Sequence, residues 1–189
     1  MQRQKNEIMI RNKRTYVFDL DNTLVKTDMA NNLSYKEAIW NITGVDIKIK
    51  PNQRFTRNLL YDNFECLPKN TLNKIIDTKN SLFFNYIEKT ILNNNLTQLL
   101  RILSENDNET ILLTNSHKNR ALRLCSYYNI NNYFTQMFFL EDYTTNKYDH
   151  LETVGYDKTS VILFENEDSS KNEAISKGLH YNNIIKINF

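Results

Sequence analysis

Apolar positions follow two patterns along the chain. Over 28–95 they recur mostly at helical spacing, and from about 110 onward short continuous apolar runs alternate with helical stretches. Before both, Tyr16, Val17 and Phe18 form a first apolar run that predicts a buried strand over 14–20. A helix is expected over 34–43, with Ser34 and Glu37 as a capping box and Gly44 at its C-terminal cap. Helices follow over 52–64, 71–92 and 96–106, the last with Leu99, Leu100 and Leu103 on one face. Strands are then expected over 110–114, 136–140, 161–164 and 184–187. They alternate with helices over 118–128, 148–154 and 168–177, where Ala121, Leu122 and Leu124 turn inward and Gly178 ends the last helix.

Continuous apolar strands alternating with helices imply a parallel sheet covered on both faces, an α/β, three-layer Rossmann-like fold. The helical block interrupts that alternation after the first strand. It is read as an insertion, so that 1–27 and 96–189 form the core and 28–95 a helical cap. Trp40, Phe55, Phe83 and Phe84 are expected in the core of that cap. Arg54, Arg57, Lys79 and Tyr86 either face a substrate or are solvated, and solvation is the simpler expectation.

Composition narrows the function classes. A length of 189 residues suits one domain carrying a small insertion. A net charge of +2 is too balanced for a nucleic-acid footprint. No apolar run is long enough to cross a bilayer, and the start MQRQKNEIMIRNKRT lacks the apolar stretch of a secretion signal. Cys66 and Cys125 form no spaced metal motif and are expected as free thiols in a cytoplasmic protein. Gly and Pro are scarce while Asn, Lys, Ile, Tyr and Phe abound, which fits AT-rich coding, so the Asn tracts carry little meaning.

In an open α/β sheet, ligands bind where the strands end. The first strand leads into FDLDNTL, residues 18–24, with Asp19 and Asp21 two apart. The second ends in Thr114, Asn115 and Ser116; Lys147 follows the third after a loop; Glu165, Asn166, Glu167 and Asp168 follow the fourth. Carboxylates at a strand end suit a magnesium ion, which takes oxygen ligands and keeps waters and a phosphate oxygen. A cation with hydroxyl and amide donors suits a phosphoryl group in transfer. The same residue types also serve as turn residues and helix caps, with Ser116 a natural cap for the helix after it.

DLDNTL and TILLTNS together resemble the haloacid dehalogenase (HAD) superfamily, in particular the phosphatases and β-phosphoglucomutase-like proteins with a helical cap after the first strand. The resemblance runs from about residue 14 to the end. Two departures stand out: Tyr148 holds the place of the Pro that commonly follows Lys147, and Asn166 holds the place of a metal-binding acid. A shifted register would use Glu167 and Asp168 instead, but the apolar run stops at Phe164, which favours Glu165 and Asn166.

The resemblance implies that Asp19 is a nucleophile forming an aspartyl-phosphate and that Asp21 acts as acid and then base. It implies that Thr114 and Asn115 bind phosphate, and that Lys147 neutralises charge. Mg2+ would be held by Asp19, the Asp21 carbonyl, Glu165 and Asn166. The leading expectation is a magnesium-dependent phosphatase acting on a small phosphorylated metabolite, with no nucleic-acid or membrane partner. A sugar-phosphate phosphomutase and a non-catalytic binding protein of the same fold are the alternatives. A dehalogenase is disfavoured, because that chemistry has no use for Asp21. His117, His150 and His180 lack metal-ligand spacing, and His117 is expected at a helix start.

Overall fold

The computed structural model of the protein describes residues 14–50 and 53–189. The polar amino-terminal stretch and the expected helix start at residue 52 lie outside the described residues. The rest forms two compact units: residues through Leu24 with Asn93–Phe189, and Val25–Leu92.

The first unit is a five-stranded sheet. Its strands are β1 (Thr15–Phe18), β4 (Glu109–Leu113), β5 (Gln136–Phe138), β6 (Ile162–Glu165) and β7 (Ile184–Lys186), in the order β5-β4-β1-β6-β7. Every pairing is parallel. All carboxyl ends therefore share one edge, with β1 central. Register places Phe18 level with Leu112 and Phe164, so Asp19 and Glu165 leave the sheet side by side. Alternation sorts the apolar residues. Val17, Ile111, Leu113 and Leu163 pack with Tyr148, Leu151, Val161, Ala174, Leu179 and Ile184 in one buried cluster. Phe18 stacks on Phe164 with ring centroids 4.6 Å apart.

The helices of this unit are α4 (Asn94–Glu105), α5 (Lys118–Tyr127), α6 (Lys147–Thr153) and α7 (Asp168–Ser176). On α4 the buried positions are Leu96 and Leu100, while Leu99 is exposed. The apolar face therefore starts one turn earlier than expected. On α5 the buried residues are Ala121, Leu124 and Cys125, and Leu122 is half-buried. Gly178, in the left-handed region at φ 95°, lies two residues beyond α7. Both cysteines are free thiols, Cys66 exposed and Cys125 buried.

The second unit contains β2 (Val25–Lys26), α1 (Asp28–Thr43), α2 (Arg57–Asn63), α3 (Lys69–Leu82) and β3 (Ile91–Leu92). It differs from expectation at several points. Helix α1 begins at Asp28, and Ser34 lies inside it, donating to the Ala30 carbonyl at 2.5 Å rather than capping. The run with Asn31 and Asn32 is helical because those amides bond the backbone of Gln53 and Phe55 at 2.7–2.8 Å. Gly44 does cap α1, in the left-handed conformation.

Helix α2 starts at Arg57, where the Thr56 hydroxyl accepts from the Leu59 amide. The helix expected over 71–92 ends at Leu82. A 3-10 segment, Phe83–Lys89, follows, and β3 then pairs antiparallel with β2. Phe55 and Phe83 are buried and Phe84 is half-buried, but Trp40 is 55% exposed and lies outside the core. The four residues weighed as substrate-facing behave differently. Arg54 bonds Thr27 and Asp28, Tyr86 donates to Glu37, and Lys79 is buried over the rings of Tyr35 and Phe83; Arg57 opens α2 on the exposed surface. Among the described residues no helix is long and apolar enough to cross a membrane.

Candidate active site

The ends of β1, β4 and β6 and the start of α6 bring most of the sequence-derived candidates into one polar cluster. Asp19 follows β1 and is only 7% exposed. Its amide donates to the Phe164 carbonyl at 3.1 Å, which extends the ladder and fixes the side chain at the sheet edge. The chain then turns through Asn22 at φ 59°, a left-handed conformation that Asn tolerates better than most residues. That turn buries Thr23, whose hydroxyl donates to Asp19 Oδ2 at 3.2 Å.

Lys147 is the first residue of α6. Its helix is capped by Asn146, which accepts from the Tyr148 amide. The ammonium Nζ donates to Asp19 Oδ1 at 3.0 Å and to Glu165 Oε2 at 2.9 Å. All three side chains are less than a tenth exposed. Burial pushes the Asp19 carboxyl up to about 7, against the pull of Lys147 and with help from the Glu165 and Asp21 charges. Burial also works against the charge on Lys147, yet Asp19 and Glu165 hold it well above the ordinary lysine value. The ammonium therefore stays charged between two carboxylates.

Tyr148, at the position where Pro was expected, is fully buried and donates to Glu165 Oε2 at 3.0 Å. The other oxygen of Glu165 accepts from the amides of Asn166 and Glu167. Asn166 lies beside Thr23. Because the Thr23 hydroxyl gives its one proton to Asp19, the Asn166 amide satisfies its surroundings with nitrogen turned inward. Assigned that way, the nitrogen has three acceptors in reach of its two N–H donors: Thr23 Oγ1 at 3.1 Å, and Glu165 Oε1 and the Asp21 carbonyl at 3.2 Å each. Asp168 is apart from this cluster, on the exposed side of α7, with both carboxylate oxygens 2.6 Å from Lys186.

Asp21 is held differently from Asp19. Arg120 of α5 grips it with two N–H donors, to Oδ1 at 2.5 Å and Oδ2 at 2.7 Å, and Ser116 donates to Oδ2 at 2.5 Å. Arg120 also bonds the Ser116 hydroxyl. Ser116 thus serves Asp21 instead of capping α5, whose cap position is His117. His117 is half-exposed and lies 2.8 Å from Glu141. Thr114 is buried; its hydroxyl accepts from the Ser116 amide, and its carbonyl lies 2.8 Å from the Tyr143 hydroxyl. Asn115 is exposed, with Oδ1 2.6 Å from the same hydroxyl. Asn115, Tyr143 and Lys147 line a cavity of about 260 Å³ together with residues of the 144–146 loop.

Arg120 and Tyr143 escaped the sequence reading, and Tyr148 entered it only as a departure after Lys147, with no role. Arg120 carried one faint signal, its place one helical turn after Ser116. Among the described residues, no three His, Cys, Asp or Glu side chains come together as a metal site. The oxygens able to hold a cation are the Asp19 carboxylate, the Asp21 carbonyl and, with its amide turned, Asn166. Those hard oxygen donors fit a magnesium ion in kind. They supply one direct carboxylate charge, so the fit is that of a weak site.

No protein-family model and no curated protein matches the chain. Solved structures do. CbbY from Rhodobacter sphaeroides in complex with phosphate is 16% identical, over 93% of this chain and 86% of that one, with a TM-score of 0.75. A haloacid dehalogenase-like family hydrolase from Streptococcus pneumoniae is 19% identical over 88% and 82%, with a TM-score of 0.70. A HAD-superfamily hydrolase of subfamily IA from Geobacter sulfurreducens is 12% identical over 88% and 84%, with a TM-score of 0.64. The likeness is one of fold: the protein carries the fold of the haloacid dehalogenase-like hydrolases.

Proposed function

We propose that the protein is a phosphoric monoester hydrolase acting on a small phosphorylated metabolite through an aspartyl-phosphate on Asp19. The observation that carries this reading is the buried row Asp19–Lys147–Glu165 at the end of the central strands. A structural ion pair has no need of two buried carboxylates around one ammonium, since desolvation offsets much of what the pairing returns. A nucleophile that must meet an anionic phosphoryl group does need a fixed cation beside it.

An Asp19 oxygen attacks phosphorus, the bond to the leaving oxygen breaks, and Asp21 gives that oxygen its proton. Water then attacks the aspartyl-phosphate, Asp21 takes its proton, and the bond to Asp19 breaks to release inorganic phosphate. Lys147 compensates charge on Asp19 and the phosphoryl oxygens, and Glu165, with Tyr148, anchors Lys147. Asn115 and the backbone after Thr114 lie beside the cavity and supply donors for the phosphate. Mg2+ is the proposed cofactor, on Asp19, the Asp21 carbonyl and Asn166, where it would neutralise charge on the phosphoryl oxygens. The structural likeness to CbbY, whose structure holds phosphate, supports a phosphate-handling reading of this fold.

A non-catalytic phosphate-binding protein is the second reading. It is favoured by the Asn166 nitrogen facing the Asp21 carbonyl, where a metal ligand would present oxygen. Phosphate release from p-nitrophenyl phosphate, with and without magnesium, separates the two. Magnesium-dependent release that is lost in Asp19→Asn supports the hydrolase. Absence of release under both conditions supports the binding protein.

A further inference from the structure

The second unit holds a cavity of about 1030 Å³, at the upper end of the range of small-molecule sites, and every residue lining it belongs to that unit. Helix α1 contributes Met29, Leu33 and Lys36, which share one face because they are spaced at i, i+4 and i+7. The chain from Ile47 to Lys50 adds two isoleucines and two lysines in alternation. Burial follows that alternation: Ile47 and Ile49 are half-buried against the core of the unit, while Lys48 and Lys50 are exposed. The β2–β3 pair sets Lys26 opposite Ile91, and Lys89 lies just before β3.

The lining has two chemical parts. Met29 and Ile91, each 59% exposed, join Leu33, Ile47 and Ile49 as hydrocarbon open to water, which gains from being covered. Lys26, Lys36, Lys48, Lys50 and Lys89 set five ammonium groups against one lining carboxylate, that of Asp28, which Arg54 holds at 2.7 Å. Lys36 lies 3.0 Å from Asp46, whereas Lys48 and Lys50 form no ion pair among the described residues. A wall of one sign draws in a negative group. The other polar side chains are poorly placed for a sugar. Asn32 already spends its amide on the Gln53 carbonyl at 2.7 Å and on the Phe55 amide at 2.8 Å. Among the described residues no aromatic ring lines the cavity, so a nucleobase finds no stacking platform. Hydrocarbon beside ammonium groups matches an alkyl chain with an anionic head.

We propose that this cavity binds a single-chain anionic amphiphile, with the chain on Met29, Leu33 and Ile91 and the head among the lysines. The proposal goes beyond the hydrolase reading and stands without it, because no residue it uses belongs to the cluster around Asp19.

The test is calorimetric titration of the full-length protein with decanoate, kept below the concentration at which it aggregates. Decanoate carries no phosphorus, so turnover plays no part. Acetate supplies the head without the chain, and decyltrimethylammonium the chain with the opposite charge. One decanoate should bind per chain, about tenfold or more tighter than acetate, which burial of a few methylenes is enough to supply. It should also bind about tenfold tighter than decyltrimethylammonium. Replacing Lys48→Gln and Lys50→Gln together should weaken decanoate by about fivefold, and Met29→Gln by about threefold. These positions are exposed, so circular dichroism should show the fold kept, and the three wild-type titrations decide the matter even where a variant fails to fold. Decanoate that binds no tighter than acetate or than decyltrimethylammonium overturns the proposal. So does decanoate affinity that is unchanged in both folded variants, or binding that appears only once decanoate aggregates.

Discussion

The ammonium of Lys147 lies 3.0 Å from Asp19 Oδ1, with only 3% and 9% of the two side chains exposed. The same ammonium holds Glu165 at 2.9 Å. Lys147→Met should therefore leave two carboxylates buried side by side with no cation between them. Breaking a buried pair from one side costs about 3–5 kcal/mol, and chemical denaturation should read a loss on that scale. A loss under about 1 kcal/mol would mean that water reaches the pair as freely as it reaches a surface one.

Tyr148 occupies the position where Pro was expected, and its hydroxyl reaches Glu165 at 3.0 Å. Tyr148→Phe keeps the ring in the apolar cluster and removes only the donor. A hydrogen bond to a buried charge contributes about 1.5–3 kcal/mol, so the variant should lose stability within that range. Turnover should fall as well, because Glu165 then holds Lys147 less firmly. Unchanged stability and turnover would make Tyr148 a packing residue alone.

The strands were legible because each is a short apolar run followed at once by polar residues, and the strand-end rule then pointed to Asp19, Asp21, Thr114, Lys147 and Glu165. The start of α1 was not legible. Asn31 and Asn32 look like loop residues until Gln53 and Phe55, more than twenty positions away, supply the backbone groups that they bond. Tyr148 and Arg120 were hidden for the same reason, since their partners are chosen by the register of the sheet. Trp40 misled in the opposite direction, because an aromatic residue in a helix need not face a core.

Asn166 decides the strength of any magnesium site. Asn166→Asp should tighten magnesium binding measured by calorimetry, because it adds a full charge beside the Asp21 carbonyl. Asp168→Asn should leave the affinity unchanged, since Asp168 is engaged with Lys186 on the exposed side of α7. The reverse pattern would move the metal site to the shifted register.

The Tyr156 hydroxyl donates to Glu109 at 2.6 Å, and burial followed by that carboxylate pushes the phenol above its ordinary value of 10.0. Above that value the unfolded chain gives up the phenolic proton while the folded chain keeps it, so stability falls as pH rises. Tyr156→Phe should be less stable than wild type by about 0.5 kcal/mol at neutral pH, given the exposure of the pair, and the gap should shrink above about pH 10. A gap that stays constant to higher pH would contradict the assignment.

The central claim is that Asp19 attacks phosphorus. Its most direct test is phosphate release from p-nitrophenyl phosphate by wild type and Asp19→Asn, both confirmed as folded by circular dichroism. An amide cannot act as the nucleophile, so release should drop by about 10³-fold or more while the folded signal persists. Retention of more than about a tenth of wild-type release by a folded Asp19→Asn would contradict the account.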